Sequence, residues 1–299
     1  MADIPSSELG AGQTLAVRAQ ALLAQFGKLP VLMLIAVTWL GFMLAVAILA
    51  DLITPYPYTQ MDLHNRLSSP VFMGGDWAHP LGTDELGRDV LSRLIASIRM
   101  SLLIAFGATI IGAVIGVTLG FVAAHFRGFI EQIVLALVDF SAAIPFLVLA
   151  LAVLAFFGNS IVLFVCLLGL HAWERYARIA RGLAISGNAQ GYSAAVHQLG
   201  ASPLRLYGRH ILPNIASTLI VSMTLAFPEI ILLESGLSFL GLGVQPPNTS
   251  LGNMVGFGRE YLSSAPWIML APAFVITITA LCISLVGDGL RDKLDPTLT

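Results

Sequence analysis

"GYSAAVHQLGASPLRLYGRHILPN", residues 191–214, is a polar island in an apolar chain. It carries Tyr192, His197, Gln198, Arg205, Arg209 and His210, punctuated by glycines and prolines. Over all 299 residues, 57% are hydrophobic and only 11% are charged. A soluble domain of this length carries about a quarter charged residues. The composition therefore requires an all-α membrane protein, and the reading of the island decides what kind.

A span needs about 20 mainly apolar residues. Working outward from the island, residues 215–233 form one span, broken by Pro228 and Glu229, and 267–286 form the last. On the other side, 161–173 is short, and a helix continuing through Arg178 or Arg181 reaches the surface with snorkelling arginines. Residues 133–157 are interrupted by Asp139 and Pro145, 100–124 are bounded by Arg99 and Arg127, and 29–50 carry no charge. The pattern predicts about six transmembrane helices with both termini on one side. Arg18, Lys28, Arg127, Arg175, Arg178, Arg181, Arg205, Arg209, Arg291 and Lys293 fall on the side of the termini. Arg66, Arg88, Arg93, Arg99 and Arg259 fall on the other. The excess puts the termini and the island in the cytoplasm, because positively charged loops stay inside.

The chain then divides into a cytoplasmic segment 1–28, a first span 29–50, an outside segment 51–99, a membrane core 100–287 and a cytoplasmic tail 288–299. The polar N-terminus lacks the basic start and apolar core of a cleaved signal. Residues 14–28 repeat apolar positions at helical spacing, as in a helix lying along the membrane surface.

Within 51–99, Thr83 is read as a helix cap, with Asp84 and Glu85 at the positive end of the dipole. Leu86, Val90, Leu91, Leu94, Ile95 and Ile98 fall on one face, and Arg88, Asp89, Ser92 and Arg93 on the other. This predicts an interfacial amphipathic helix leading into the second span, or a contact for an outside partner. Residues 236–255 read as an outside loop, a lid or partner surface. There Gly241 and Gly243 either let backbones approach closely or end a helix.

Acids inside a membrane are functional candidates. Asp139 lies near the cytoplasmic end of the third span, where reaching the interface is the simpler reading. Glu229 and Glu234, near the outer end of the fifth, line a path or contact the outer loop. These three are the candidate path or gate residues. His171 and Glu174, three apart, lack a further ligand and read as interfacial polar residues. Cys166 and Cys282 sit in apolar runs as small buried hydrophobes. There is no phosphate-binding loop, no zinc-protease motif and no nucleophile elbow. No catalytic residue, metal site or bound cofactor is expected. The net charge of -2 gives no reason to expect a nucleic-acid partner.

In the island, Gly200 sits where a left-handed residue ends a first short helix. Ser202 and Pro203 then supply an N-cap and a first-turn proline for a second. That second helix is expected to run to Arg209, with Pro213 stopping it before the fifth span. A solvated connector needs fewer residues and fewer apolar ones than Leu199, Leu204, Leu206 and Tyr207.

The stretch resembles the E-A-A–x3–G–x9–I–x–L–P loop of ABC importer permeases. Ala194, Ala195 and Val196 stand in the E-A-A positions, followed by Gly200, His210, Ile211, Leu212 and Pro213. Ala194 departs from the family glutamate and His210 from the first isoleucine. "HPLGTDELGRDVLSRLI", "RHILPN", "LSFLGLGVQPP" and "GDGLRDKLDP" resemble the dipeptide, oligopeptide and nickel branch, from His79 to the C-terminus. The resemblance implies the type I permease fold and an inner-membrane subunit that forms a translocation path for short peptides or a related small solute. It implies four partners besides membrane lipid: a second homologous permease, two cytoplasmic ATPase subunits that use ATP, and an extracytoplasmic solute-binding protein. It makes 188–213 a coupling loop, with Tyr192, Ala194, Ala195, Gly200, Ala201, Ser202, Pro203, Leu204, Leu212 and Pro213 at the ATPase contact. The alternative is an ion-coupled carrier or channel, which calls for a carboxylate relay and often an internal repeat.

Overall fold

The computed structural model describes residues 31–188 and 202–294. Among these residues the regular elements are all helical, with no strand, and residues 54–89 are mainly turns. The helices are α1 (Val31–Ile48), α2 (Val90–Phe126), α3 (Gly128–Ala143), α4 (Phe146–Phe157), α5 (Ile161–Asn188), α6 (Leu212–Phe239), α7 (Leu251–Gly258) and α8 (Trp267–Leu294). Helices α1, α2, α6 and α8 are long and apolar enough to cross a membrane.

The third expected span is not one straight helix. Residues α3 and α4 meet at an 88° bend. Ile144 is extended and Pro145 precedes the first turn of α4. A proline disfavours helical backbone at the residue before it, so the chain turns there. The fourth segment does continue past Arg181 to Asn188, the last residue described before 202, and is apolar over its first half and more polar over its second. The expected break at Pro228 is absent, because α6 runs through it.

The amphipathic helix expected from Thr83 is corrected too. Helix α2 starts at Val90, with the Asp89 side chain accepting from the Ser92 amide at 2.7 Å. Thr83 to Asp89 is instead a tight turn, because the Asp84 carboxylate takes the amides of Leu86 and Arg88, each at 2.9 Å. Gly87 has φ 71°, outside the helical region, and a side chain there would strike the Asp62 carbonyl. Most of the supposed polar face is buried: Asp89, Ser92 and Arg93 are under 5% exposed, and only Arg88 keeps part of its side chain at the surface. Asp84 pairs with Arg88 and Arg93. The helix then runs uninterrupted for 37 residues, about 55 Å, into and beyond the second span.

The most extensive helix pair is α2 with α5. Gly112, Gly116 and Gly120 fall at four-residue spacing on α2, and a side chain at any of them would press into the carbonyls of Gly169, Trp173 or Ala177. Small residues let membrane helices approach until dispersion contacts replace the missing hydrophobic drive. Elsewhere, the Trp39 indole on α1 donates to Thr279 on α8 at 3.0 Å, and the Trp267 indole donates to the Thr83 carbonyl at 3.2 Å.

Residues 236–255 are not one open loop: they comprise the end of α6, a turn and the start of α7. Gly241, with φ 80°, ends α6: the Leu242 amide returns to the Leu237 carbonyl and the Gly241 amide to that of Ser238. Gly243 is the close approach, since a side chain there would overlap Ser238. The chain then folds back as α7, capped by Ser250 and packed on α6 and α8.

Candidate functional site

Two regions carry the expected functional residues. The first is the end of the island. Tyr192, Ala194, Ala195, Gly200 and Ala201 lie outside the described residues. Ser202 occupies the N-cap position before Pro203, although its side chain makes no capping bond. The expected stop at Pro213 is overturned. Pro203–Arg205 passes into a π-turn over Leu206–Ile211 and then into α6, with helical backbone at each junction. The π-turn explains why Pro213 is tolerated. The Leu212 amide bonds to the Tyr207 carbonyl, five residues back. This wider turn accommodates a ring that would otherwise clash with the carbonyl four residues back.

The π-turn also rotates Leu206, Tyr207 and Ile211 inward, where they pack on Ala124 of α2 and on Ala180 and Ala184 of α5. The Asn188 amide donates to the Tyr207 hydroxyl at 3.0 Å, and the Phe121 and His125 rings flank Tyr207 at 5.1 and 5.6 Å. Leu204, one turn earlier, is 86% exposed. The element is therefore seated on α2 and α5 by one face and leaves an apolar residue on the other.

The second region runs along α5. His171 Nε2 lies 3.0 Å from Glu229 of α6, and Arg175 donates to the same carboxylate at 3.1 Å. Arg178 donates to Asp139 of α3 at 3.0 Å. Arg181 donates through Nε to Glu131 at 2.8 Å. Positions 171, 175, 178 and 181 recur every three or four residues, so one side of α5 carries a column of charge about 15 Å long. Arg175, Arg178, Asp139 and Glu229 all keep more than 40% of their side-chain surface exposed.

Of the three acids singled out from sequence, Asp139 and Glu229 thus join one column. Glu234 does not. It is fully buried, and it accepts from Ser101 at 3.1 Å and from Ser238 at 2.8 Å. It lines no path in this conformation. His171 is drawn to Glu229 and not to Glu174, and the described residues hold no group of three metal-ligating side chains. The arginines of α5 were legible as charges but not as partners of the acids. The signal that could have found them is their helical spacing set beside the lone acids of the neighbouring spans.

Residues 112–299 match the family model described as binding-protein-dependent transport system inner membrane component. The chain is 38% identical over 253 residues to the di/tripeptide transport system permease protein DppC of Pseudomonas aeruginosa, covering 84% of each chain. It is 40% identical over 220 residues to a putative peptide transport system permease protein of Brucella suis, 74% of each. It is 34% identical to the dipeptide transport system permease protein DppC of Haemophilus influenzae, over 89% of this chain and 90% of the relative. In fold it resembles a chain of the MetNI methionine ABC transporter in inward-facing form. The TM-score is 0.54 at 19% identity, covering 69% of this chain and 97% of the other. With four or more apolar spanning helices and relatives that are permease subunits of ABC importers, the chain belongs to the binding-protein-dependent transport system inner membrane components and is a multi-pass permease of the inner membrane.

Proposed function

We propose that this permease forms, with a second homologous permease, a translocation path for short peptides. The named relatives that handle peptides support that substrate class. Two cytoplasmic ATPase subunits supply the energy, and an extracytoplasmic binding protein delivers the solute. Both termini and residues 188–213 face the cytoplasm, as the distribution of arginine and lysine suggests. The island is the coupling element. Its exposed Leu204 enters an ATPase cleft, while Leu206, Tyr207 and Ile211 pass the movement to α2 and α5.

The observation that carries the path is the charge column on α5. Half-exposed ionised side chains in a membrane helix face a protein partner or a water-filled cavity, because lipid makes them costly. The column offers both signs side by side, which suits the ammonium and carboxylate of a peptide. The paired, salt-bridged acids form no proton relay, so the ion-coupled alternative gains nothing from them.

Reconstitution tests the reading. The permease pair, its ATPases and its binding protein are placed in liposomes with a labelled dipeptide and tripeptide. ATP-dependent uptake is expected, and Arg175→Gln with Glu229→Gln is expected to lower it about tenfold without loss of assembly, roughly 1.4 kcal/mol. Uptake driven by an ion gradient in the absence of ATP would overturn it.

A further inference from the structure

Away from the charge column, an apolar slot of about 760 Å³ lies between α1, α2 and α6. Leu44, Ala47, Leu103, Phe106, Ile220 and Phe227 line it. Its two inner hydroxyls ask for nothing: Thr109 donates to its own helix at the Ala105 carbonyl, and Thr224 to that of Val221, each at 2.8 Å. The slot is therefore apolar in effect along its depth.

At one end it changes character. Arg99 lines the slot and also a second cavity of about 520 Å³, lined by Asp51, Tyr56, Tyr58 and Asn248. Arg99 donates to Asp51 at 2.8 Å, and the two side chains are 43% and 82% exposed. Tyrosines of this kind mark the level where a membrane meets water. From Arg99 to Thr109 the slot descends ten residues of helix, about 15 Å, which is half the roughly 30 Å hydrocarbon core.

We propose that the slot holds an acyl chain of a zwitterionic phospholipid from the leaflet nearest residues 51–89, with its phosphate on Arg99 and its ammonium on Asp51. Three observations point there together: the depth equals one leaflet, the walls are apolar, and the mouth carries one charge of each sign. The exposed ion pair at the mouth loses little by opening, since surface pairs of this kind contribute about 0–1 kcal/mol. Each member then meets an opposite charge on the headgroup.

The assembled transporter, purified in detergent and washed, is read by native mass spectrometry and then titrated with micelles containing phosphatidylethanolamine or phosphatidylglycerol. One phosphatidylethanolamine is expected to remain on each copy of this chain. Ala47→Phe and Ile220→Trp, which fill the slot from opposite walls, are expected to remove it while the size-exclusion profile stays that of the parent. Arg99→Gln is expected to weaken retention about fivefold, as befits one basic charge at a membrane surface. Three results would overturn the proposal. One is undiminished retention in both filled variants. Another is equal retention of the two lipids with no effect of Arg99→Gln. The third is efficient disulfide cross-linking of Leu44→Cys to the second permease.

Discussion

The hydroxyl of Ser101 donates to the carboxylate of Glu234 at 3.1 Å, and neither residue has more than 1% of its surface exposed. The same hydroxyl accepts the Leu251 amide at 3.1 Å. One hydroxyl thus ties α2, α6 and α7 together. Glu234→Leu would leave the Ser101 and Ser238 hydroxyls without an acceptor, at about 1–3 kcal/mol for each buried group. Glu234→Gln keeps an acceptor oxygen and should cost less. Thermal unfolding of the detergent-purified transporter, followed by fluorescence, should rank the parent first, Gln second and Leu last. Equal midpoints for Leu and Gln would show that the carboxylate holds nothing.

The α2–α5 contact makes a second prediction. Gly116 faces the Trp173 carbonyl with no room for a side chain. Gly116→Val must separate the two helices or distort them, and overpacking of this kind costs about 1–3 kcal/mol or more. Gly41 on α1 faces open space, so Gly41→Val is the control. Membrane insertion should survive in both. Resistance of detergent-purified protein to aggregation should drop in Gly116→Val alone.

Much of the fold was legible because apolar length is a strong signal: four of the six expected spans are helices long and apolar enough to cross a membrane, and a fifth is the bent pair of α3 and α4. The errors share a physical cause. Proline and cap rules are local, and here tertiary contacts decided the outcome. Pro228 and Pro213 were read as breaks, yet packing and a π-turn keep the helix whole. Thr83 was read as a cap and Arg93 as part of the polar face of an interfacial helix, yet Asp84 gathers two amides and two arginines into a buried turn. The three glycines of α2 were in plain view at four-residue spacing, and only their partner helix was missing. Glu229 and Asp139, singled out from sequence as acids within apolar stretches, are both paired with arginines of α5. Their arginine partners lie 39 and 54 residues away in the chain, beyond any local pattern.

The buried turn supplies a third prediction. Asp84 has no exposed surface and accepts from both Arg88 and Arg93, the latter 3% exposed. Asp84→Asn leaves the buried Arg93 charge uncompensated, which costs about 3–5 kcal/mol. Because the turn lies at the end of α2 that begins the span, the loss should show as misfolded outside loops. Limited proteolysis of right-side-out vesicles should cut the variant within residues 54–89 while sparing the parent. The double variant Asp84→Asn with Arg93→Met removes the stranded charge and should restore part of the resistance.

The coupling element gives the last prediction, because its two faces should fail differently. Leu204 projects 86% of its surface away from the chain, so nothing in the permease depends on it. Leu204→Asp should leave folding and thermal stability unchanged. It should weaken the ATPase contact by the burial of one leucine, about 1.5–3 kcal/mol or tenfold or more in affinity. Tyr207 is the opposite case. It is buried, holds the Asn188 amide and stacks beside Phe121. Tyr207→Ala keeps Leu204 in place but empties the seat, at about 3–5 kcal/mol for a large buried aromatic. The ATPase should still bind Tyr207→Ala and hydrolyse ATP. However, the stimulation by peptide-loaded binding protein should disappear, because the movement no longer reaches α2 and α5. Pull-down of the ATPase and peptide-stimulated hydrolysis are measured on both variants. Loss of binding in Leu204→Asp with loss of stimulation alone in Tyr207→Ala is the expected pattern. Normal ATPase binding by Leu204→Asp would remove the island from the coupling interface, whatever Tyr207→Ala does.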